Sequence, residues 1–294
     1  MTKRMHVTWL MAAVILGIAA LFVLTRPTTG PGAKPTETAY ERVIRTGELR
    51  CAYGMGRPWL YHDQDGQLTG LLHQLTEEMG RRLSVKIIWD GGDVGWEGVA
   101  LALQSGKADM ACSTLWQSAA RGRVLSFTRP LWFNQVRLYT RVKETRFDEG
   151  SYERLNAKDV RFVASDGGES AKIVAQHFPR AAVVSLPNST PVEEFFLNVT
   201  TNKADVVAAD VGVMRNFIAA NPGMIKEIPT PQPLEVYPSA YALAIDQPML
   251  RDMIDSAVAE LIHTGYVARL LADEIRDNPG SFLLPAPAFD PAGR

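Results

Sequence analysis

The stretch Ala108-Asp109-Met110-Ala111-Cys112-Ser113-Thr114-Leu115-Trp116-Gln117-Ser118-Ala119-Ala120-Arg121 decides the fold. Met110 to Cys112 is a short apolar run of the kind that forms a buried strand, and it empties into small hydroxyl residues. An Arg a few residues beyond such a strand stands at the rim of a sheet, where α/β folds collect ligands. The planar guanidinium fork of Arg121 suits a carboxylate held by two parallel hydrogen bonds.

Outward from this stretch, strand-like and helix-like segments alternate. Leu49 to Ala52 and Val85 to Trp89 read as strands around a helix, Leu71 to Leu83, with Leu71, Leu75, Met79 and Arg82 on one face. Trp96 to Gln104 reads as a second helix closed near Gly106, and the strand at Asp109 follows. This is the βαβ grammar of a parallel sheet with covering helices. The grammar restarts with a strand Arg161 to Ser165, a helix Ser170 to His177 and a strand Ala182 to Ser185. Thr190-Pro191-Val192-Glu193 then has the pattern of a capping box with Pro in the first turn.

An internal repeat marks two related halves. Gly106-Lys107-Ala108-Asp109 and Asn202-Lys203-Ala204-Asp205 each join a helix to a buried strand, delivering Ser113 and Thr114 in one half and Asp210 in the other. Val136 to Val142 alternates apolar and polar residues and reads as a strand crossing between lobes; Tyr237 to Ile245 reads as the return. The expectation is two α/β lobes with separate sheets, not one sheet running through both halves. Lobe 1 takes residues 40–136 and 240–284, and lobe 2 takes 142–236.

The ends differ from this body. Lys3 and Arg4 precede an uncharged run, Val7 to Leu24, whose 18 residues would span ~27 Å as a helix at about 1.5 Å per residue, close to the bilayer core. A cleavable signal has a shorter apolar region and a small-residue cleavage site, which does not follow here directly. Residues 1–26 are therefore read as an inner-membrane anchor with the N-terminus cytoplasmic, the alternative being a signal cleaved near Gly32 or Ala33. No Cys lies near the run, which argues against lipid anchoring. Residues 27–39, rich in Thr, Gly and Pro, read as a flexible linker, and 285–294 as a disordered tail. A net charge of −1 with dispersed Lys and Arg gives no electrostatic basis for binding nucleic acid. Cys51 and Cys112 have no metal-ligand spacing and read as two small buried hydrophobes, so no metal and no cofactor is expected.

The segment around Arg121, continued by Ser126-Phe127-Thr128-Arg129-Pro130, resembles the polar amino-acid family of periplasmic solute-binding proteins, solute-binding family 3. Glu41 to Arg50, the hairpin Asp65 to Gly70 and the closing helices Leu250 to Leu271 carry the likeness along the chain, in order and spacing. The resemblance implies a two-lobed periplasmic binding protein type II fold that closes on its ligand by a hinge. It implies that Arg121 holds a ligand α-carboxylate, aided by Ser170 at a helix N-terminus. Asp210 would pair with an α-ammonium, Ser113 and Thr114 would add polar contacts, and Trp96 would pack on the ligand side chain. Tyr53 and Trp59 would flank the first loop. The chain departs from the family pattern at Trp116, where Ser or Thr is usual, and at Leu72, where an acidic residue is usual. The first loop, Tyr53 to Trp59, is one residue short and has Arg57 beside its Pro. The ligand class therefore extends beyond amino acids to related small carboxylates.

The implied function is capture of such a solute in the periplasm for an ABC importer or a sensor, without catalysis. Two alternatives remain: a cyclohexadienyl-dehydratase-like enzyme with Glu169 as general acid, and a ligand-free subunit that binds a partner. Acidic residues in a first helical turn also simply complement the helix dipole, so Glu169 has a structural reading as well.

Overall fold

The computed structural model describes residues 37–277 and 279–285. The anchor run Val7 to Leu24 and the tail beyond residue 285 lie outside them, and among the described residues no helix is long and apolar enough to cross a membrane. The folded unit begins at Thr38. Thr38 and Glu41 form a reciprocal capping box: Oγ1 of Thr38 accepts from the Glu41 N–H at 3.2 Å, and the Glu41 carboxylate accepts from the Thr38 N–H at 2.9 Å. The expected linker therefore ends before Thr38.

The first lobe opens with α1 (Ala39–Thr46), β1 (Glu48–Ala52) and a small hairpin of β2 (Tyr61–His62) and β3 (Leu68–Thr69). It continues with α2 (Leu71–Leu83), β4 (Lys86–Ile88), α3 (Gly95–Gln104), β5 (Met110–Trp116), a 3-10 turn at Arg121–Arg123, and β6 (Leu125–Phe127). The ten-residue β7 (Trp132–Arg141) crosses out of it. The second lobe contains α4 (Tyr152–Leu155), β8 (Arg161–Ser165), α5 (Glu169–His177), β9 (Ala182–Leu186), α6 (Val192–Thr200), β10 (Val206–Asp210), α7 (Val211–Ala220) and β11 (Ile225–Glu227). The chain returns along β12 (Glu235–Ala244), also ten residues, to α8 (Pro248–His263), α9 (Tyr266–Leu270), α10 (Ala272–Asp277) and β13 (Phe282–Leu283).

The strand orders of the two lobes correspond. Lobe one runs β4-β1-β5-β12, and lobe two runs β9-β8-β10-β7. In each, the first three strands are parallel and the crossing strand is antiparallel to the third. β6 and β11 play the same part, each pairing antiparallel with a crossing strand. The expectation of separate sheets is corrected in one respect. The crossing strands pair with each other, Trp132–Val136 against Glu235–Ser239, so hydrogen bonding is continuous from β4 to β9. Each crossing strand is long enough to serve both lobes with different halves. The cores stay on their own sides: Trp132 and Tyr241 belong to the core under β1 and α2, whereas Val136, Leu138 and Leu234 belong to the core around Phe162 and Phe178.

The repeated Lys-Ala-Asp motif has a shared structural role. Gly106 and Asn202 both take the left-handed conformation that ends a helix. Each Asp then leads into its central strand and folds back on an Arg of the neighbouring strand, Arg50 within β1 and Arg161 at the start of β8. Asp109 accepts from the Arg50 N–H at 2.8 Å and from its guanidinium at 2.8 Å; Asp205 accepts from the Arg161 N–H at 3.0 Å and from its guanidinium at 3.0 Å. Asp205 also meets Arg141 at 3.1 Å and Arg146 at 2.8 Å. Burial pushes the Asp205 carboxyl up, but this ring of guanidinium donors outweighs burial and holds it well below the usual carboxylate range. Arg146 above all, with Arg141, keeps neighbouring Glu144 at about 2 against opposing burial.

Three local expectations are corrected. Leu72 lies in the core beside Leu75 and Met79, whereas Arg82 turns outward to Glu78 and Glu260. α6 starts at Val192 behind Pro191 with no side-chain cap, because Thr190 belongs to the preceding turn. Cys51 and Cys112 form a disulfide across adjacent strands β1 and β5, with Cα atoms 5.4 Å apart.

Removing Asp205 takes a buried carboxylate away from three arginines, of which Arg141 and Arg146 keep Glu144 and Arg161 keeps no carboxylate partner among the described residues. Asp205→Ala is expected to lower the unfolding free energy by about 3–5 kcal/mol, the range for breaking a buried ion cluster on one side. Urea denaturation at pH 7 measures it; a loss below about 1 kcal/mol would place the cluster among ordinary surface pairs.

Candidate functional site

A cavity of about 200 Å3 lies where the ends of β5 and β10 meet the starts of α3, α5 and α6. Both lobes and the crossing strands contribute to its wall, so it is the crevice between the lobes. Its surface is mostly aromatic and aliphatic, with a few polar groups, as small-molecule sites are. Trp59, Trp96 and Trp116 come from lobe one, and Val192, Phe195 and Phe196 from α6 in lobe two. Asn134 of β7 and Ser239 of β12 enter from the crossing pair, where the Ser239 hydroxyl donates to the Asn134 amide oxygen.

Eight of the residues singled out from the sequence line this cavity: Arg121, Asp210, Ser170, Trp96, Thr114, Trp116, Trp59 and Glu169. Two do not. Ser113 is buried behind the strand end, where its hydroxyl accepts from the Gly54 N–H at 3.1 Å. Tyr53 turns away to pack edge-on against Trp89, ring centroids 5.6 Å apart. Gly54 itself allows this loop to lie against α3, since a Cβ there would stand 2.8 Å from the Trp96 nitrogen. The hydroxyl of Ser170 faces back to β8, accepting from the Ser165 N–H at 2.9 Å. Trp116 stacks on Tyr237 with centroids 5.0 Å apart and planes 4° from parallel.

Arg121 has a partner that was not foreseen. Its Nη2 meets both oxygens of Glu97, at 3.0 and 3.1 Å, and its Nη1 donates to the Trp116 carbonyl at 3.1 Å. Glu97 in turn accepts from the Glu169 N–H at 3.4 Å, at the start of α5. Glu97 was missed because an acidic residue in a first helical turn reads as a complement to the helix dipole; its place beside Trp96 was the available clue. Glu169 accepts from Ser118 at 2.6 Å and from Lys172 at 3.2 Å, tying lobe two to the loop before Arg121. Burial pushes Glu169 up, but the Ser118 and Lys172 hydrogen bonds and the nearby Arg121 charge bring it below its ordinary value.

Asp210 ends β10 and caps α7. Its Oδ1 accepts from the Val213 N–H at 3.0 Å, while Oδ2 is buried with no hydrogen-bond partner. The sequence left open whether this residue was a cap or a ligand partner; one oxygen serves the cap and the other is left over. Burial raises its carboxyl to about 6, against the pull of the Val213 and Gly212 N–H groups and the Asn134 amide. Among the described residues, no group of His, Cys, Asp and Glu is arranged to hold a metal ion.

The family model for bacterial extracellular solute-binding proteins, family 3, matches residues 49–273. The chain belongs to that family. A probable histidine-binding protein of Campylobacter jejuni is 26% identical over 162 residues, 55% of this chain and 59% of that protein, so the match spans less than two thirds of the relative. Solved structures agree in fold. An amino-acid ABC-transporter substrate-binding protein of Streptococcus pneumoniae, AbpA, bound to L-arginine, has a TM-score of 0.69 at 22% identity, covering 81% of this chain and 98% of its own. The ancestral amino-acid-binding protein AncCDT-1, described as a precursor of cyclohexadienyl dehydratase, has a TM-score of 0.68 at 21% identity, covering 79% and 97%. These matches show that the chain has a two-lobed periplasmic binding protein fold.

Asp210 carries a testable cost. Its folded-state value lies above the unfolded one, from 3.8 to about 6, so the folded chain binds this proton more tightly. The Asp210 contribution to stability is therefore most favourable below about pH 4, falls as pH rises through about 6 and stays lower above, by roughly 3 kcal/mol. Asp210→Asn keeps a capping side chain and removes the charge. The empty variant is expected to be more stable than wild type at pH 7.5, by up to about 3 kcal/mol, in urea denaturation. Equal or lower stability would contradict an uncompensated buried carboxylate.

Proposed function

We propose that this chain captures an amino acid or closely related small solute between its lobes, outside the cytoplasm, and delivers it to an ABC importer or presents it to a sensor. The observation that carries this reading is the unpartnered Asp210 oxygen at an aromatic-lined crevice shared by both lobes. That oxygen has almost no accessible surface in this structure, so a ligand ammonium would meet it after a small shift of the Asp210 side chain or of the Asn134 amide near it. The solute would lie with its ammonium at Asp210, its body against Trp96 and α6, and its other end toward Arg121 and the start of α5. Thr114, Trp116 and Ser170 would complete the wall. Closure around such a solute fits lobes divided at residues 136–142 and 236–240, near which the cores part.

The names of related proteins support the ligand class: histidine-binding in one curated relative and L-arginine in one solved structure. Catalysis on the same scaffold has less support. The acid that a dehydratase reading needs is Glu169, and its hydrogen bonds and ion pair favour the ionised form, which has no proton to give. The run Val7 to Leu24 is proposed to hold the protein at the outer face of the inner membrane, in keeping with the extracytoplasmic placement of the family.

Thermal-shift screening of the purified full-length chain against amino acids and related amines and acids is expected to find stabilising ligands. Asp210→Ala should weaken the best of them by about 2–5 kcal/mol, as for one half of a buried charge pair. An unchanged affinity would remove Asp210 from the site. For the anchor, intact-mass measurement of membrane-extracted protein should find residues 1–26 still attached; a mature start near Ala33 would instead mean a cleaved signal.

A further inference from the structure

The carboxylate seat of the cleft is filled by the chain itself. The family resemblance places a ligand carboxylate between the Arg121 guanidinium and the start of α5. In this structure the Glu97 carboxylate stands there, 3.0 and 3.1 Å from Arg121 Nη2 and 3.4 Å from the Glu169 N–H. Gly168 borders this seat: a Cβ at that position would collide with the Ser165 hydroxyl and come 3.1 Å from a Glu97 oxygen. The guanidinium's remaining Nη atom is taken by the Trp116 carbonyl.

The charge balance points the same way. The charged residues lining the cavity are Glu97, Glu169, Asp210 and Arg121, three carboxylates against one guanidinium. Arg121 is matched by Glu97, and Glu169 by Lys172 at 3.2 Å. What remains is Asp210, with one oxygen that has no hydrogen-bond partner. Among the described residues lining the cavity, Asp210 is the carboxylate that no cation matches, so the cavity suits a cation better than an anion. Its aromatic walls, Trp59, Trp96, Trp116, Phe195 and Phe196, present π faces and edges that suit an organic ammonium.

We propose that Glu97 acts as a built-in substitute for a ligand carboxylate, and that the solute is accordingly an organic amine without a carboxylate of its own. The proposal rests on the solute-capture reading and narrows its ligand class. A free α-carboxylate would have to displace Glu97, which is held beside Arg121 by the backbone and therefore competes at a high effective concentration. An amine makes the Asp210 contact and leaves the Glu97–Arg121 pair in place. Glu97 is thus the residue that sets the choice between an amino acid and its decarboxylated counterpart.

The test is calorimetric titration of the full-length chain in detergent with matched pairs: histamine and histidine, agmatine and arginine, cadaverine and lysine, phenethylamine and phenylalanine. At least one amine is expected to bind wild type tenfold or more tightly than its parent amino acid. In Glu97→Ala, and to a smaller degree in Glu97→Gln, that ratio is expected to fall at least tenfold because Arg121 becomes free for the carboxylate. Circular dichroism confirms that each variant is folded, and the Gln variant serves if the Ala variant is not. Amino acids binding wild type as tightly as their amines would overturn the proposal while leaving solute capture standing. So would a ratio unmoved by either substitution. Failure of every probe to bind wild type and variants alike would instead remove solute capture, and the proposal with it.

Discussion

The antiparallel pairing of Trp132–Val136 with Glu235–Ser239 is the interaction on which the rest of the molecule depends. Everything in lobe two is inserted between these strands, so the relative placement of the lobes is decided where the strands meet. The same few residues form part of the binding crevice, through Asn134 and Ser239. The backbone hydrogen bonds that join the lobes therefore also shape part of the crevice wall, and any closure of the lobes would turn on them.

Around that joint, the lobes share a strand order but differ in what they offer to the crevice. The aspartate clamp recurs in each, with Asp109 on Arg50 and Asp205 on Arg161, and it brings the central strand to the crevice in the same register. The strands end differently. In lobe one β5 brings Thr114 and Trp116 to the crevice, which are uncharged, whereas in lobe two β10 ends at Asp210, which is charged and has one oxygen without a hydrogen-bond partner. That asymmetry turns a scaffold repeat into a site with a polarity. It also carries a cost in stability that a bound cation would relieve.

Much of this was legible in the sequence, and the reasons for what was not are physical. The βαβ restarts, the crossing strands and the Lys-Ala-Asp repeat are local patterns, and local patterns survive in one dimension. Arg121 and Asp210 were visible because each follows a buried apolar run, a position that points to a strand end. Glu97 was not, since its partner is 24 residues away and its own setting suits a helix dipole equally well. The disulfide was hidden for a related reason: Cys51 and Cys112 become neighbours only through the parallel pairing of β1 with β5. Ser113 and Tyr53 failed in the opposite sense. Ser113 sits one residue from Thr114, which faces the crevice, and in extended chain one residue reverses the side; Tyr53, at the start of the first loop, turns to Trp89 instead.

The bond between Cys51 and Cys112 closes a covalent ring over a sequence separation of 61 residues, containing α2, β4 and α3. Chain entropy alone makes such a ring worth about 4 kcal/mol against the open chain. The ring also encloses Trp96 and Glu97, whereas Arg121 lies outside it. A peptide-bond break anywhere in the enclosed stretch therefore leaves both pieces attached. The half of the crevice that carries Glu97 stays tethered to the half that carries Arg121, and the pair can re-form without a search through solution.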